Sequence, residues 1–170
     1  PGKAFFLSFF VPGRGFWVTP LLLDLNFLVF LAMCLSGVGI FFPDNVDLLH
    51  WGADFAPLTL TGDYWRVLTC NYVHVGLIHL AMNMYALLFI GLFLEPLAGS
   101  RRMAMAYVLS GLYASLASLS VNAEWIAAGA SGAIFGLYGL FFAYLLLRRG
   151  GEERRKTLLV SIAVFILYNL

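Results

Sequence analysis

Three side chains that do chemistry when they meet stand in otherwise apolar runs of this chain. Ser131 lies in Gly129-Ala130-Ser131-Gly132, at the start of a long apolar stretch. His79 and Asn83 lie in another, within His74-Val75-Gly76-Leu77-Ile78-His79-Leu80-Ala81-Met82-Asn83. Polar groups are costly inside hydrocarbon, so a His, Asn or Ser in such a run is a functional candidate by default. At 100° per residue, His79 and Asn83 fall about 40° apart and share one face of a helix. A hydroxyl, an imidazole and a carboxamide are the parts of an acyl-transfer site: a nucleophile and neutral donors for the oxyanion.

Each residue also has a plainer reading. Glycines on both sides of Ser131 allow a tight entry and close approach of a substrate backbone. If a helix begins at Gly129–Ser131, its first N–H groups are unpaired and face an anion. Small residues in a membrane helix equally permit close packing, and Gly132 and Gly136 form a small-xxx-small pair. With Gly139 they present a smooth face suited to a further helix. Asn83 and His79 are alternatively interhelical hydrogen-bond glue, worth about 0.6 kcal/mol on average. His74, about 140° from His79 around the helix, is read as a brace for the adjoining loop. His50 falls in a polar loop and reads as solvated.

The elements that must position these groups follow from composition. The chain has 170 residues, 62% hydrophobic and 11% charged, with a mean hydropathy of +0.89. Soluble domains carry about 45–50% apolar and about 25% charged residues, so the chain belongs in a lipid bilayer. A net charge of +1 gives no basis for a nucleic-acid partner. Cys34 and Cys70 form neither a disulfide framework nor a metal-ligand spacing and read as packing residues.

A spanning helix needs about 20 mostly apolar residues. Leu21–Phe42 meets that length, with Asp24 and Asn26 placing its start at the interface. Pro43–Thr69 is too polar to span and reads as a long loop lying partly in the headgroup layer. Val75–Leu94 is the second span, Glu95–Ser100 a turn broken by Pro96 and Gly99, and Met103–Val121 the third. Ser131–Leu147 is the fourth, and Arg148–Lys156 a charged connector. Thr157–Leu170 reads as the start of a fifth, rising only about 21 Å of the roughly 30 Å needed. The expected fold is thus an all-α polytopic helical bundle with four full transmembrane helices and part of a fifth. Residues 1–20 are expected to form a cytoplasmic or interfacial arm, and residues 21–170 a transmembrane domain incomplete at its C-terminus.

Lys and Arg give the orientation. With the N-terminus cytoplasmic, nine of the ten lie inside (Lys3, Arg14, Arg101, Arg102, Arg148, Arg149, Arg154, Arg155 and Lys156) and only Arg66 lies outside. The positive-inside rule favours that arrangement, which puts Pro43–Thr69 and Asn122–Ala128 on the outer face. At 1.5 Å per residue, His79 then lies about 6 Å below that face, Asn83 about 12 Å and Ser131 about 9 Å. Separate segments deliver all three to one depth.

These features together resemble the rhomboid family of intramembrane serine proteases. The resemblance rests on Trp65-Arg66 in the first outer loop, on His74, His79 and Asn83 in the second span, on Glu95 after it and on Gly129-Ala130-Ser131-Gly132 in the fourth. It runs from about Trp51 to the end of the chain. It implies a serine endopeptidase in which Ser131 is the nucleophile and His79 and Asn83 are oxyanion donors. The general base it implies is a His on a sixth span, a position none of His50, His74 and His79 matches, so these 170 residues alone are expected to be inactive. Phe135, one turn after the serine, departs from the Tyr often found there and gets no proton role. Trp65 and Arg66 either anchor the outer loop by stacking and hydrogen bonds or are an interfacial aromatic beside a snorkelling Arg. Glu95 is expected to pair with Arg101 or Arg102.

The implied substrates are single-span membrane proteins cleaved near the outer face, and the implied location is a bacterial cytoplasmic membrane. No metal or cofactor is implied, since no His/Asp/Glu cluster of ligand spacing falls in the spans. A non-proteolytic relative that binds client helices in the same groove is the alternative. A transporter would want charged or broken helices at midplane in repeated halves, and neither is present.

Overall fold

The computed structural model describes residues 11–121 and 123–147. Among them the elements are helical: α1 (Val18–Leu35), α2 (Asn45–His50), α3 (Ala56–Thr59), α4 (Arg66–Thr69), α5 (Leu77–Ala98), α6 (Ser100–Val121) and α7 (Ser131–Leu147). α1, α5 and α6 are long and apolar enough to cross a bilayer, and α7 is a shorter apolar helix. The expected Thr157–Leu170 segment, the Arg148–Lys156 connector and residues 1–10 of the arm lie outside the described residues. Many outward apolar side chains, among them Leu28, Leu109 and Leu147, are exposed. Lipid solvates such a surface and water does not, so the bundle is an integral membrane protein.

The ends of the helices differ from those expected, each for a physical reason. α1 begins at Val18, not Leu21, because its start is capped from a distance. Glu95, fully buried, accepts the N–H groups of Trp17 (2.8 Å), Val18 (2.7 Å) and Thr19 (2.8 Å). The next residue, Pro20, has no N–H, and Leu21 N–H makes the first helical bond, to Trp17 O. The three orphan donors of the helix start are thereby satisfied, and the fourth position is a proline that has none. Thr19 Oγ1 and Ser100 Oγ add hydrogen bonds to the same carboxylate, both at 2.6 Å. Glu95 therefore does not pair with Arg101 or Arg102 as expected. A carboxylate at a helix N-terminus is also favoured by the helix dipole.

α1 ends at Leu35 because Gly37 turns the chain at φ +99, and residues 38–42 run on without helical structure. Asn26 is fully buried among the helices, and it donates to Leu22 O at 2.7 Å. α5 continues through Pro96, whose missing N–H removes one bond of the last turn, and only Gly99 (φ +87) breaks it. α6 then starts at Ser100, so α5 and α6 form a hairpin joined by one residue.

Packing follows the small residues. In lipid no hydrophobic force drives helices together, and close approach with hydrogen bonding does the work. A Cβ on Gly91 of α5 would run into Thr19 of α1, one on Gly132 into Ala114 and one on Gly136 into Ser110. Gly132 and Gly136 are thus consumed by α6, the helix most extensively packed on α7. They do not offer the free face expected for a further helix. Gly139 alone of the three has open space beside it.

Candidate active site

The site forms at the end of the bundle where the loop 43–69 meets the turn 123–130. The loop is folded rather than merely interfacial. It carries α2, α3 and α4 and closes over a cluster of Met33, Val38, Leu48, Ala53 and Val73, against which Ile126 and Ala128 of the turn also pack. Arg66, 7% exposed, ties the loop together. Its Nε donates to Asp63 Oδ2 at 2.9 Å and its Nη1 to the carbonyls of Leu49 (2.6 Å) and Ala53 (3.1 Å). Its guanidinium carbon lies 4.6 Å from the centre of the Trp65 ring. Of the two readings open for Trp65-Arg66, the loop brace is the one observed, since a guanidinium so enclosed does not reach out to phosphates.

Ser131 is the first residue of α7. Ala130 O accepts the first helical bond, from Ile134 N–H at 3.0 Å. The N–H groups of Ser131, Gly132 and Ala133 therefore precede the hydrogen-bonded ladder at the helix start. The entry needs Gly129, whose φ of +124 disfavours a side chain. The imidazole of His79 lies directly against it: a Cβ at 129 would be 2.6 Å from His79 Cε1. The second half of the turn is pinned by backbone at two points. Ala127 and Asp54 exchange two hydrogen bonds of 2.8 Å, and Gly129 N–H donates to Cys70 O at 2.8 Å.

His79 and Asn83 project from the first turns of α5. Val75 N–H donates to His79 Nδ1 at 3.4 Å, so in a neutral ring Nε2 carries the proton and is the free donor. Asn83 donates one Nδ2 hydrogen to His79 O at 2.9 Å and keeps a second. Ser131, His79 and Asn83 all line one apolar cavity of about 600 Å³, with Phe41, Phe42, Pro43, Ile78, Met82 and Phe135 among its walls. The three residues expected at one depth line the same cavity.

The other expected residues take supporting places. His74 is fully buried, with Nδ1 3.2 Å from Tyr72 O. A carbonyl only accepts, so Nδ1 holds the hydrogen and Nε2, which has no partner among the described residues, is a bare acceptor. Burial, and secondarily the neighbouring His79, pushes the His74 ring pKa down to about 4. Its ring centre is 5.4 Å from that of His79. His50 is exposed at the end of α2, as expected. Gly132 sits in the first turn of α7 with its α-carbon against Ala114. Asp54, Cys70 and Ala127, which hold the turn, were not marked by any spacing in the sequence. Cys70 is more than a packing residue, since its thiol lies 3.0 Å from Ser115 Oγ and its carbonyl holds Gly129.

A family model for the rhomboid domain matches residues 61–170, well over half of the chain. The chain belongs to the rhomboid family. RHOMBOID-like protein 5 of Arabidopsis thaliana is 36% identical over 130 residues, covering 75% of this chain and 42% of that protein. Rhomboid protease GluP of Bacillus subtilis (strain 168) is 34% identical over 152 residues, covering 89% of this chain and 29% of that protein. RHOMBOID-like protein 2 of Arabidopsis thaliana reaches 40% identity over 106 residues, or 62% of this chain and 33% of that protein. The chain thus spans less than half the length of each of these rhomboid relatives.

Proposed function

We propose that the protein is an intramembrane serine endopeptidase that cleaves single-span membrane proteins near the outer face of a bacterial cytoplasmic membrane. The observation that carries this reading is the convergence of Ser131, His79 and Asn83 on one apolar cavity, with Ser131 at a helix start. Similarity to a bacterial rhomboid protease over 89% of the chain supports it.

In this reading Ser131 Oγ attacks the scissile carbonyl carbon and gives its proton to a general base. The carbonyl oxygen becomes an oxyanion that the helix-start N–H groups, His79 Nε2–H and the second Asn83 N–H receive. The protonated base then delivers its proton to the leaving amine, and water later releases the acyl group from Ser131. His79 is poorly arranged as that base, because its Nδ1 already accepts and its Nε2 bears the hydrogen. His74 is turned to Tyr72 O, and His50 is at the end of α2. The reading therefore keeps the base that the rhomboid resemblance implies, a His on a sixth span outside these residues. Substrate helices enter from lipid into the apolar cavity, and the cut falls where they unwind within reach of Ser131.

The orientation is part of the proposal. The loop 43–69 and the turn 123–130 face outward and the α5–α6 hairpin faces the cytoplasm, as the Lys/Arg distribution favours. Cysteines at Thr61 and Trp125 will react with an impermeant reagent on intact cells, and one at Arg101 will not. The activity is tested by expressing the full-length protein with a single-span reporter. Cleavage by the wild type and none by Ser131→Ala is the expected result. A reporter that co-purifies with the wild type uncut would replace the protease with a binder of client helices.

A further inference from the structure

The turn that delivers Ser131 is held by backbone bonds to two residues the proposed chemistry does not use, and one of them carries a buried acid. Asp54 N–H donates to Ala127 O and Ala127 N–H to Asp54 O, each at 2.8 Å, an isolated antiparallel bridge between the loop 43–69 and the turn. Two residues further on, Gly129 is bonded to Cys70 O, and two beyond that stands Ser131. Any shift of Asp54 is therefore passed to the nucleophile through about four residues of chain.

The Asp54 side chain is placed to prevent such a shift. It is 1% exposed. Its Oδ1 accepts the Thr59 hydroxyl at 2.5 Å, and Thr59 Oγ1 in turn accepts Phe55 N–H at 3.3 Å. This closes a ring of bonds across residues 54–59 and α3. The residue before it is fixed as well, since Arg66 Nη1 donates to Ala53 O. Asp54 Oδ2, by contrast, is buried with no partner among the described residues. An unpaired buried oxygen costs free energy. Such a cost is tolerated where placement matters more than stability, and here what is placed is the strand partner of the nucleophile turn.

We infer that Asp54 is a positioning residue for Ser131: its backbone bridge to Ala127 sets the turn, and its carboxylate, locked to Thr59, holds that backbone still. The inference rests on the reading of Ser131 as nucleophile. It assigns Asp54 no contact with substrate. What acts is the Oδ1 acceptor, not the charge, so an amide in the same place will serve.

The test uses the full-length protein in nanodiscs, with Asp54→Asn, Asp54→Ala and Thr59→Val. Two quantities are read: hydrogen exchange of the peptide containing Ala127 and Gly129, and kcat and KM for a single-span reporter. Asp54→Ala and Thr59→Val are expected to speed exchange at those two amides and lower kcat roughly 10- to 100-fold with KM changed less than about twofold. Asp54→Asn keeps the acceptor for Thr59 and will match the wild type in both. Should Asp54→Ala fail to accumulate, Thr59→Val carries the test with the acid in place. Unchanged exchange and kcat in Thr59→Val would overturn the inference. So would an Asp54→Asn variant as impaired as Thr59→Val, or exchange accelerated equally in every helix. If Ser131→Ala cleaves like the wild type, the nucleophile reading fails, while exchange at Ala127 and Gly129 still decides whether Asp54 holds the turn.

Discussion

His79 and Gly129 leave no room for a side chain between them: a Cβ at 129 would sit 2.6 Å from His79 Cε1 and 3.0 Å from Nε2. The turn that leads into Ser131 and the helix that carries His79 are thus in contact through the α-carbon of a glycine whose φ of +124 L-residues rarely adopt.

Gly129→Ala is therefore expected to harm the site twice. The backbone strain costs about 1–3 kcal/mol, and the methyl group displaces the imidazole that would donate to the oxyanion. Turnover of a reporter by the full-length protein will fall much more than its unfolding temperature accounts for. Gly62→Ala is the control, with φ +143 but nothing within 4 Å of the added carbon. It will bear the strain alone and keep its turnover. Equal turnover in both variants would mean that the contact with His79 is unimportant.

The long apolar runs made the helical membrane fold legible, and counting 1.5 Å per residue brought Ser131, His79 and Asn83 to one level. Helix ends were less legible because tertiary contacts set them. Val18 starts α1 because Glu95, 77 residues away, caps it, and no local pattern around Val18 records that. The expected pairing of Glu95 with Arg101 or Arg102 failed for the same reason. The small-xxx-small pair Gly132 and Gly136 packs closely on a neighbour, but a glycine stripe does not name its partner, which is α6. The clamp of Asp54 and Cys70 on the turn was invisible, because backbone bonds between distant loops impose no residue type.

Glu95 offers a stability prediction. Glu95→Ala would strand three backbone N–H groups and two hydroxyls, each lost bond costing about 1–3 kcal/mol and not additively. Thermal unfolding in detergent will show a large fall in midpoint, whereas Arg101→Ala and Arg102→Ala will shift it little. A midpoint for Glu95→Ala equal to that of the arginine variants would contradict the capping role.

His74 sets an acid limit. Its pKa is 6.5 unperturbed and about 4 when folded, through burial and then the neighbouring His79. The unfolded chain therefore binds the proton more tightly between those values, and stability falls as pH drops. The contribution is complete above pH 6.5 and is lost progressively towards pH 4. His74→Gln, neutral throughout, will flatten the unfolding midpoint against pH across that window. A wild-type curve that stayed as steep in His74→Gln would assign the transition to other groups.

An activated nucleophile facing an oxyanion site can be captured covalently, and Ser131 is expected to be so captured. A fluorophosphonate probe forms a P–O bond to an activated serine oxygen and releases fluoride, and the phosphoryl oxygen then occupies the oxyanion site. The full-length protein in nanodiscs is treated with the probe and its peptides are mapped by mass. Modification is expected at Ser131, with none there in Ser131→Ala and labelling slowed by roughly 10²–10³ in Asn83→Ala, the cost of one oxyanion donor. An unmodified Ser131 in an enzyme that still cleaves its reporter, or a label on a different serine, would contradict the reading of Ser131 as nucleophile.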